Sequence, residues 1–498
     1  MKNSTLNFNT LLLGTCLLLT FLTTNAQIQK GSDLDGETAY DYSGHSVSMP
    51  DANTVAIGAP YNDGNGSQSG HVRIYSWSGK TWLQKGDDIY GDYSLHNLGW
   101  SVSMPDANTI AIGAPYTQEN GSHQGRVEIY SWSGTAWVQK GNDIVGEYYG
   151  DQSGVSVSMP DANTVAIGAY DNDGNGIWAG HVRIYSWSGT AWVQKGDDID
   201  GEEAGDLSGI SVSMPDANIV AIGAHGNSGN GFSAGHVRIY SWSGTAWVQK
   251  GDDIDGEEAG DRSGSSISMP DADTVAIGAY DNDGNGIDAG HVRIYSWSGT
   301  SWIQKGDDIN GKGAGDNLGY QVSMPDPNTV AIGAMNEHNS TDTGYVQIFS
   351  WNGTAWIQKG VDINGEEAGD WAGFSISMPD ADIVAIGAKR NGGNGDDAGN
   401  VRVYSVSGLG IEKEIVTNIK VYPNPSSTQV IIDNGNYSAM GSYNAEIVNA
   451  MGQQVFHSVI NQKQFVIDTK TMGGAGIYTL YITDENNKVV GAKKIVLQ

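Results

Sequence analysis

Cysteine is almost absent from this chain: its 498 residues hold only Cys16, which lies in the leading apolar segment. Once that segment is removed no thiol remains, which excludes disulfides, thiol catalysis and cysteine metal sites. Basic residues are also scarce. The 26 Lys and Arg stand against 57 Asp and Glu, for a net charge of −31. Residues 411–498 hold seven of each sign, so the acidic excess falls on the rest of the chain. A surface of that sign repels nucleic acid and anionic membrane. No internal stretch has apolar residues at helical spacing, which argues against helices. Beyond Leu11–Leu22 no apolar run approaches the length needed to span a bilayer.

What the chain has is a repeat. The triplet Met-Pro-Asp recurs at Met49, Met104, Met159, Met214, Met269, Met324 and Met378, with five spacings of 55 residues and a last one of 54. A fixed period of this size signals a repeat architecture. Each copy holds four strand-like runs, seen in the third copy as A (Val155–Met159), B (Thr164–Ala169), C (His181–Trp187) and D (Thr190–Gln194). Their β-branched and aromatic residues alternate with period two. Pro160-Asp161-Ala162-Asn163 supplies turn chemistry between A and B, and Ser188-Gly189 between C and D. Trp187 and Trp192 flank that second turn and are placed to stack across it.

Seven four-stranded units joined by short turns predict an all-β chain with a seven-bladed β-propeller over residues 27–408. The ends of the repeat region separate this from a linear solenoid. The seventh copy stops after strand C at Ser405, whereas Ile28-Gln29-Lys30-Gly31 matches the missing strand D. The N-terminal strand is therefore expected to close the ring. The short A–B and C–D turns share one face. The long, acidic B–C loops (Tyr170–Gly180) and D–A loops (Gly196–Gly209) share the other, and a rigid scaffold that gathers its loops on one face displays function there. Residues 1–26 read as a secretory signal peptide, with Lys2, the Leu11–Leu22 core and a Thr24-Asn25-Ala26 cleavage site. Residues 409–420 read as a linker. Residues 421–498 read as a small antiparallel β-sandwich of six further strands.

Two resemblances accompany this reading. Val55-Ala56-Ile57-Gly58-Ala59-Pro60 with Gly70-His71-Val72-Arg73-Ile74-Tyr75 resembles the FG-GAP repeat of integrin-α-type propellers. The full Gly-Ala-Pro survives only at Gly58–Pro60 and Gly113–Pro115. That family's calcium loops lie between the first two strands, where this chain has its short proline turn. Val421-Tyr422-Pro423-Asn424-Pro425, Gly476-Ile477-Tyr478-Thr479-Leu480 and Lys493-Lys494-Ile495-Val496 resemble the type A C-terminal sorting domain of the type IX secretion system. That resemblance implies the secretion machinery as a partner of residues 421–498. It also implies a product secreted from a Gram-negative bacterium or held on its outer-membrane surface.

The candidate chemistry is sparse. Asp171, Asp173 and Asn175, with Asp281, Asp283, Asn285 and Asp288, have the alternating oxygen pattern that opens a calcium loop, and Asn-Gly and Asp-Gly equally form plain turns. Ca²⁺ is the only cofactor the sequence suggests. Asp41, Asp151, Asp206, Asp261, Asp316 and Asp370 each precede a repeated glycine by three residues and read as turn formers or as an acidic ring. The tryptophan pairs read as packing or as sugar platforms, and the histidines opening strand C as structural. A site in a repeat protein shows as departures from the repeat: His96, Trp100, Glu119, His123, Trp178, Glu337, His338, Trp371, Lys389 and Arg390. These make no nucleophile–base–acid set in sequence. The expected function is therefore secreted or cell-surface binding or adhesion, with a glycan or an extracellular protein as ligand. An extracellular hydrolase acting on polysaccharide is the alternative, and a purely structural surface component a third reading.

Overall fold

The structure is a computed structural model that describes residues 27–119, 122–336, 343–406, 420–433, 444–449, 453–483 and 489–498. The expected signal peptide and residues 409–419 of the expected linker lie outside the described residues. The described residues between Gln27 and Val406 form seven five-stranded sheets in succession. In the third, Ser156–Asp161 is innermost, followed outward by Thr164–Ala169 and His181–Trp187. The outermost strand comes in two pieces, Trp192–Gln194 and Ile199–Asp200, both paired with His181–Trp187.

This split corrects the sequence reading, in which Gly196–Gly209 was all loop. Ile199 is almost fully buried, and its pairing with Val182 returns the chain to the sheet before the true loop begins. The inner strand also runs through Pro160 to Asp161 rather than stopping at Met159. A register shift between Ser158 and Asp161 absorbs the proline, which has no N–H for the ladder.

Ring closure is as the sequence predicts. Ala372–Asp380, Ile383–Ala388 and Asn400–Ser405 form the seventh sheet, and the N-terminal segment completes it. Ile28 pairs with Ser405, Gln29 with Tyr404, Leu34 with Val401 and Asp35 with Asn400, all antiparallel.

Neighbouring blades share their cores. Every residue of Thr164–Ala169 is buried. Val165 and Ile167 pack with Val127 and Ile129 of the preceding blade, while Ala166, Val182 and Ile184 pack with Met214, Val220 and Ile222 of the next. A side chain at Gly168 would put its Cβ 2.0 Å from the carbonyl oxygen of Gly209 in the next blade, so only glycine permits this approach.

Polar groups repeat the same linkage around the ring. The backbone N–H of each triplet methionine donates to a serine hydroxyl of the preceding blade, Met159 to Ser103 at 2.9 Å for example, in all seven blades. In six blades an inner-strand serine donates to a glycine carbonyl of the next, as Ser156 does to Gly209 at 2.8 Å. Gln321 takes that place in the sixth.

The tryptophan pairs belong to this linkage too. Trp187 and Trp192 are directly opposed, with ring centroids 5.3 Å apart. Lys140 of the preceding blade sits 5.2 and 5.3 Å from the two rings, donates to the Ala162 carbonyl, and receives the Trp192 indole N–H on its own carbonyl. Six blades carry this lysine cage. Cation–π contacts of this kind are worth about 0.5–2 kcal/mol each.

Residues 420–498 form a three-stranded sheet (Lys420–Tyr422, Gln429–Asp433, Gln464–Asp468) and a four-stranded one (Asn444–Asn449, Gln454–Val459, Gly476–Thr483, Val489–Leu497). One core joins them, with Ile432, Ile447, Leu480 and Ile495 fully buried. Asn424 of the Tyr-Pro-Asn-Pro stretch acts as a side-chain strand. Its Nδ2 donates to the Lys494 carbonyl at 2.7 Å and its Oδ1 accepts from the Val496 N–H at 2.8 Å.

Ring closure gives a direct prediction. With no competing thiol in residues 27–498, the pair Ile28→Cys and Ser405→Cys should oxidise to a single intramolecular disulfide. The disulfide should raise the melting temperature, since locking so long a loop is worth up to about 5 kcal/mol. A monomer with two free thiols after oxidation would contradict the closure.

Candidate functional site

Many positions of the repeat keep one residue, or a close relative of it, from blade to blade. Two columns that vary strongly lie at the loop-bearing mouth of the central channel. The residue after each D–A glycine is His45, Trp100, Val155, Ile210, Ser265, Tyr320 or Phe374. The residue two before that glycine is Tyr42, Asn97, Gln152, Leu207, Arg262, Asn317 or Trp371, and all seven hold a positive φ of 53–57°.

The left-handed turn has a local cause. Asp206 Oδ2 accepts the N–H groups of Glu202 and Glu203 at 2.9 and 3.0 Å, and Asp206 Oδ1 accepts from Asn227 Nδ2. Asp41 and Asp370 repeat the pattern, and Asp151, Asp261 and Asp316 repeat its backbone part. These aspartates are therefore turn formers, buried except for the half-buried Asp316, and each holds its neighbour in the strained conformation that displays it.

Between the seventh, first and second blades the mouth opens into a cavity of about 610 Å³ lined by Tyr42, His45, Tyr61, Trp100, Trp371, Lys389 and Arg390 among others. Its walls are aromatic. His45 packs on Trp100 and Phe374 at 4.4 and 5.1 Å between centroids, Tyr61 meets Tyr42 at 5.2 Å, and Trp100 meets Tyr116 at 4.8 Å. Tyr320 extends the arc from Phe374 to Tyr280. Two cations lie against it. Lys389 Nζ is 3.4 Å from the centre of the Phe374 ring, and the Arg390 guanidinium is 4.2 Å from that of Trp371. Arg390 also faces Asp397 at 3.6 Å, whose other oxygen accepts from the Tyr42 hydroxyl at 3.2 Å.

Burial, reinforced by the charge of Lys389, pushes the His45 imidazole down to about 3, so it is neutral at ordinary pH. Burial raises the Tyr42 and Tyr61 hydroxyls above their usual range. The cavity thus offers ring faces, neutral donors and a cationic rim in a protein that is otherwise strongly acidic.

Of the departures named from sequence, Trp100, Trp371, Lys389 and Arg390 come together here. His123 lies beside the arc, its Nδ1 3.1 Å from the Tyr116 carbonyl. Trp178 stands exposed on a B–C loop, and His96 is buried between blades against Arg126. Glu337, His338 and the side chain of Glu119 lie outside the described residues. Tyr42, His45, Tyr61 and Phe374 went unnamed in the sequence reading. Reading each repeat column for variation, rather than each copy for oddities, is the signal that finds them.

The seven residues proposed for calcium are divided among other contacts. Asp173 and Asp283 accept the N–H groups of Trp178 and Asp288 at 2.8 Å. Asn175 and Asn285 turn their amide nitrogens to the Gly201 and Gly311 carbonyls. Asp171 accepts from Gln152, Asp281 faces Arg262 at 3.2 Å, and Asp288 holds a left-handed turn position.

Comparison with known proteins decides the two ends of the chain. Residues 27–75 match the FG-GAP repeat, and residues 420–498 match the secretion system C-terminal sorting domain. The chain carries a type IX sorting domain. Its sorting domain marks it for the cell surface or the extracellular space, and no helix among the described residues is long and apolar enough to cross a membrane.

A stretch of 132 residues is 25% identical to an endo-acting ulvan lyase of Formosa agariphila, covering 26% of this chain and 24% of the lyase. The match thus spans about a quarter of that relative's length. Among solved structures, the Niastella koreensis GH74 enzyme aligns with a TM-score of 0.45 at 12% identity, covering 95% of this chain and 74% of that one. PorZ, a surface component of the type IX system of Porphyromonas gingivalis, aligns at 0.36 and 12%, covering 91% and 65%.

One titration follows from the mouth. Burial, then the charge of Asp173, pushes Asp171 up to about 6 from 3.8. The folded state therefore binds its proton more tightly than the unfolded state, and the carboxylate lowers stability as pH rises from 3.8 through about 6. Asp171→Asn keeps the acceptor for Gln152. It should raise the melting temperature at neutral pH and leave it near that of the unmodified protein below pH 3.8. Equal shifts at both pH values would contradict this.

Proposed function

We propose that this exported protein is a binding module that takes an acidic glycan at the aromatic cavity between its seventh, first and second blades. The observation carrying this is the convergence of the repeat's departures on one mouth. Two of the columns that differ most among the copies, those of His45 and of Tyr42, meet at this cavity.

The chemistry of those columns fits the ligand. Flat rings such as Trp100, Trp371 and Tyr61 complement the apolar faces of sugar rings. Lys389 and Arg390 attract a carboxylate or sulfate that the remainder of this acidic surface would repel. The neighbouring tyrosine hydroxyls and the neutral His45 supply hydrogen bonds that fix orientation, in the manner of small-molecule sites generally. Export by the sorting domain places such a module where extracellular polysaccharide is met.

The test is direct binding of the full chain to a panel of acidic polysaccharides and ulvan. Saturable binding should fall at least about tenfold, or about 1.4 kcal/mol, in each of Trp100→Ala, Trp371→Ala and the double variant Lys389→Ala with Arg390→Ala. It should survive Trp187→Ala, which alters only a lysine cage. Binding unchanged by the cavity variants would overturn the site. Release of shortened products from any of these polysaccharides would replace the binding reading with the enzymic one.

A further inference from the structure

A second kind of site recurs between blades, away from the mouth. In blades 1, 3, 4 and 5 strand C opens on a histidine with almost no exposure: His71, His181, His236 and His291. Each Nδ1 faces two carboxylates, one from its own outer strand and one from the loop of the preceding blade. For His71 these are Asp88 Oδ2 at 3.4 Å and Glu37 Oε2 at 3.8 Å. For His236 they are Asp253 Oδ2 at 3.7 Å and Glu202 Oε2 at 3.9 Å, and for His291 they are Asp308 Oδ2 at 4.0 Å and Glu257 Oε2 at 3.9 Å. His181 has Asp198 Oδ2 at 3.5 Å, with Glu147 completing the group.

These separations are long for hydrogen bonds. Neither ring nitrogen of the fully buried His71 has a hydrogen-bond partner, and the same holds for Nε2 of the other three. The other oxygens of the carboxylates are occupied. Asp198 Oδ1 accepts from Gln194 at 2.5 Å, and Glu147 Oε1 faces Arg183 at 3.4 Å. Asp88 Oδ2 additionally accepts from Tyr90 at 3.0 Å, a contact found only in blade 1. One nitrogen and two carboxylate oxygens thus draw together in each group, with the Tyr90 hydroxyl an added partner of Asp88 in blade 1.

The remaining blades show what these carboxylates hold when histidine is replaced. In blade 2, Arg126 stands at the histidine position. Its two terminal nitrogens bind Asp143 and Asp92, the counterparts of Asp88 and Glu37, at 2.8 Å each. In blade 6, Lys312 replaces the glutamate, pairs with Asp362, and lies over Tyr345, which replaces the histidine. In blade 7, Asn400 stands there and reaches Asp33 at 3.5 Å. Two blades therefore fill the group with a fixed positive side chain. Four fill it with an imidazole, which brings a lone pair instead.

We infer that the four inter-blade groups Glu37–His71–Asp88, Glu147–His181–Asp198, Glu202–His236–Asp253 and Glu257–His291–Asp308 bind a divalent cation of the zinc type. Ligand atoms held at zinc distances in a tetrahedral arrangement lie about 3.3–3.5 Å apart, and the His71 Nδ1–Asp88 Oδ2 and His181 Nδ1–Asp198 Oδ2 separations of 3.4 and 3.5 Å already lie in that range. One imidazole with two carboxylates suits zinc and its neighbours, whereas calcium takes oxygen ligands in greater number. The glutamates are 38–44% exposed, which leaves the ion a path in. Each ion would join two adjacent blades.

The experiment is equilibrium dialysis of the full chain against ZnCl₂ at neutral pH, with metal counted by mass spectrometry. The chain should retain about four zinc ions, and excess Ca²⁺ should not displace them. His71→Asn, His181→Asn, His236→Asn and His291→Asn should each remove one ion. Asparagine already occupies this position in blade 7, so these chains should fold. The quadruple variant should retain none and should lose the rise in melting temperature that zinc gives the unmodified protein. Trp100→Ala should change neither readout. No retained zinc, or a stoichiometry that the single variants leave unchanged, would overturn the assignment, as would equal retention of Ca²⁺.

Discussion

Each blade buries both faces of its second strand, so a blade is complete only between two others. That constraint organises the chain. Val165 and Ile167 need the preceding blade, and Ala166, Val182 and Ile184 need the next. The carbonyl of Gly209 sits where a Cβ on Gly168 would be, so the sheets approach at backbone distance. A row of stacked sheets under this rule would leave an apolar face bare at each end. Bending the row into a ring removes both ends, and splitting one blade between the two termini ties the ring shut. The seven methionine–serine bonds and six lysine cages then repeat one interface around the whole circle.

This division of labour explains the uniformity of the copies. Serine, methionine, glycine, tryptophan and lysine recur because each faces a neighbouring blade. The aspartates before the D–A glycine recur because they hold a left-handed residue, and that residue is itself free to vary. A rigid, repeated frame thereby presents seven independent positions at one opening, those that follow the D–A glycine. On one side these are Tyr320, Phe374, His45 and Trp100, and on the other Val155, Ile210 and Ser265. The asymmetry turns a nearly symmetric ring into a site with a direction.

The fold was legible because its signals are local and repeated seven times. Period-two alternation, proline turns and the displaced Ile28-Gln29-Lys30 strand each have a single reading. The errors were also physical. Pro160 reads as a terminator, yet a bulge carries the strand past it. Gly196 reads as the start of a loop, yet burial of Ile199 brings the chain back to the sheet. The site was only half legible. Trp100, Trp371, Lys389 and Arg390 stand out in a single copy, whereas His45, Tyr42 and Phe374 show only when columns are compared. Which blades meet at the cavity depends on closure between the first and seventh. The carboxylates that face the inter-blade histidines lie 17 to 34 residues away, one of them in the preceding blade, so that juxtaposition does not show in the sequence.

The central claim is that the repeated columns build the ring and the varied columns make the site. One chain tests both halves. His45, Trp100, Tyr320 and Phe374 would be replaced by the isoleucine of blade 4, Trp371 by its leucine, and Lys389 and Arg390 by its histidine and glycine. The measurement is the melting curve of this chain alongside its affinity for the glycan that the unmodified protein binds. The account predicts an unchanged cooperative melt and no binding. A chain that binds as before, or that no longer folds into the ring, would contradict it.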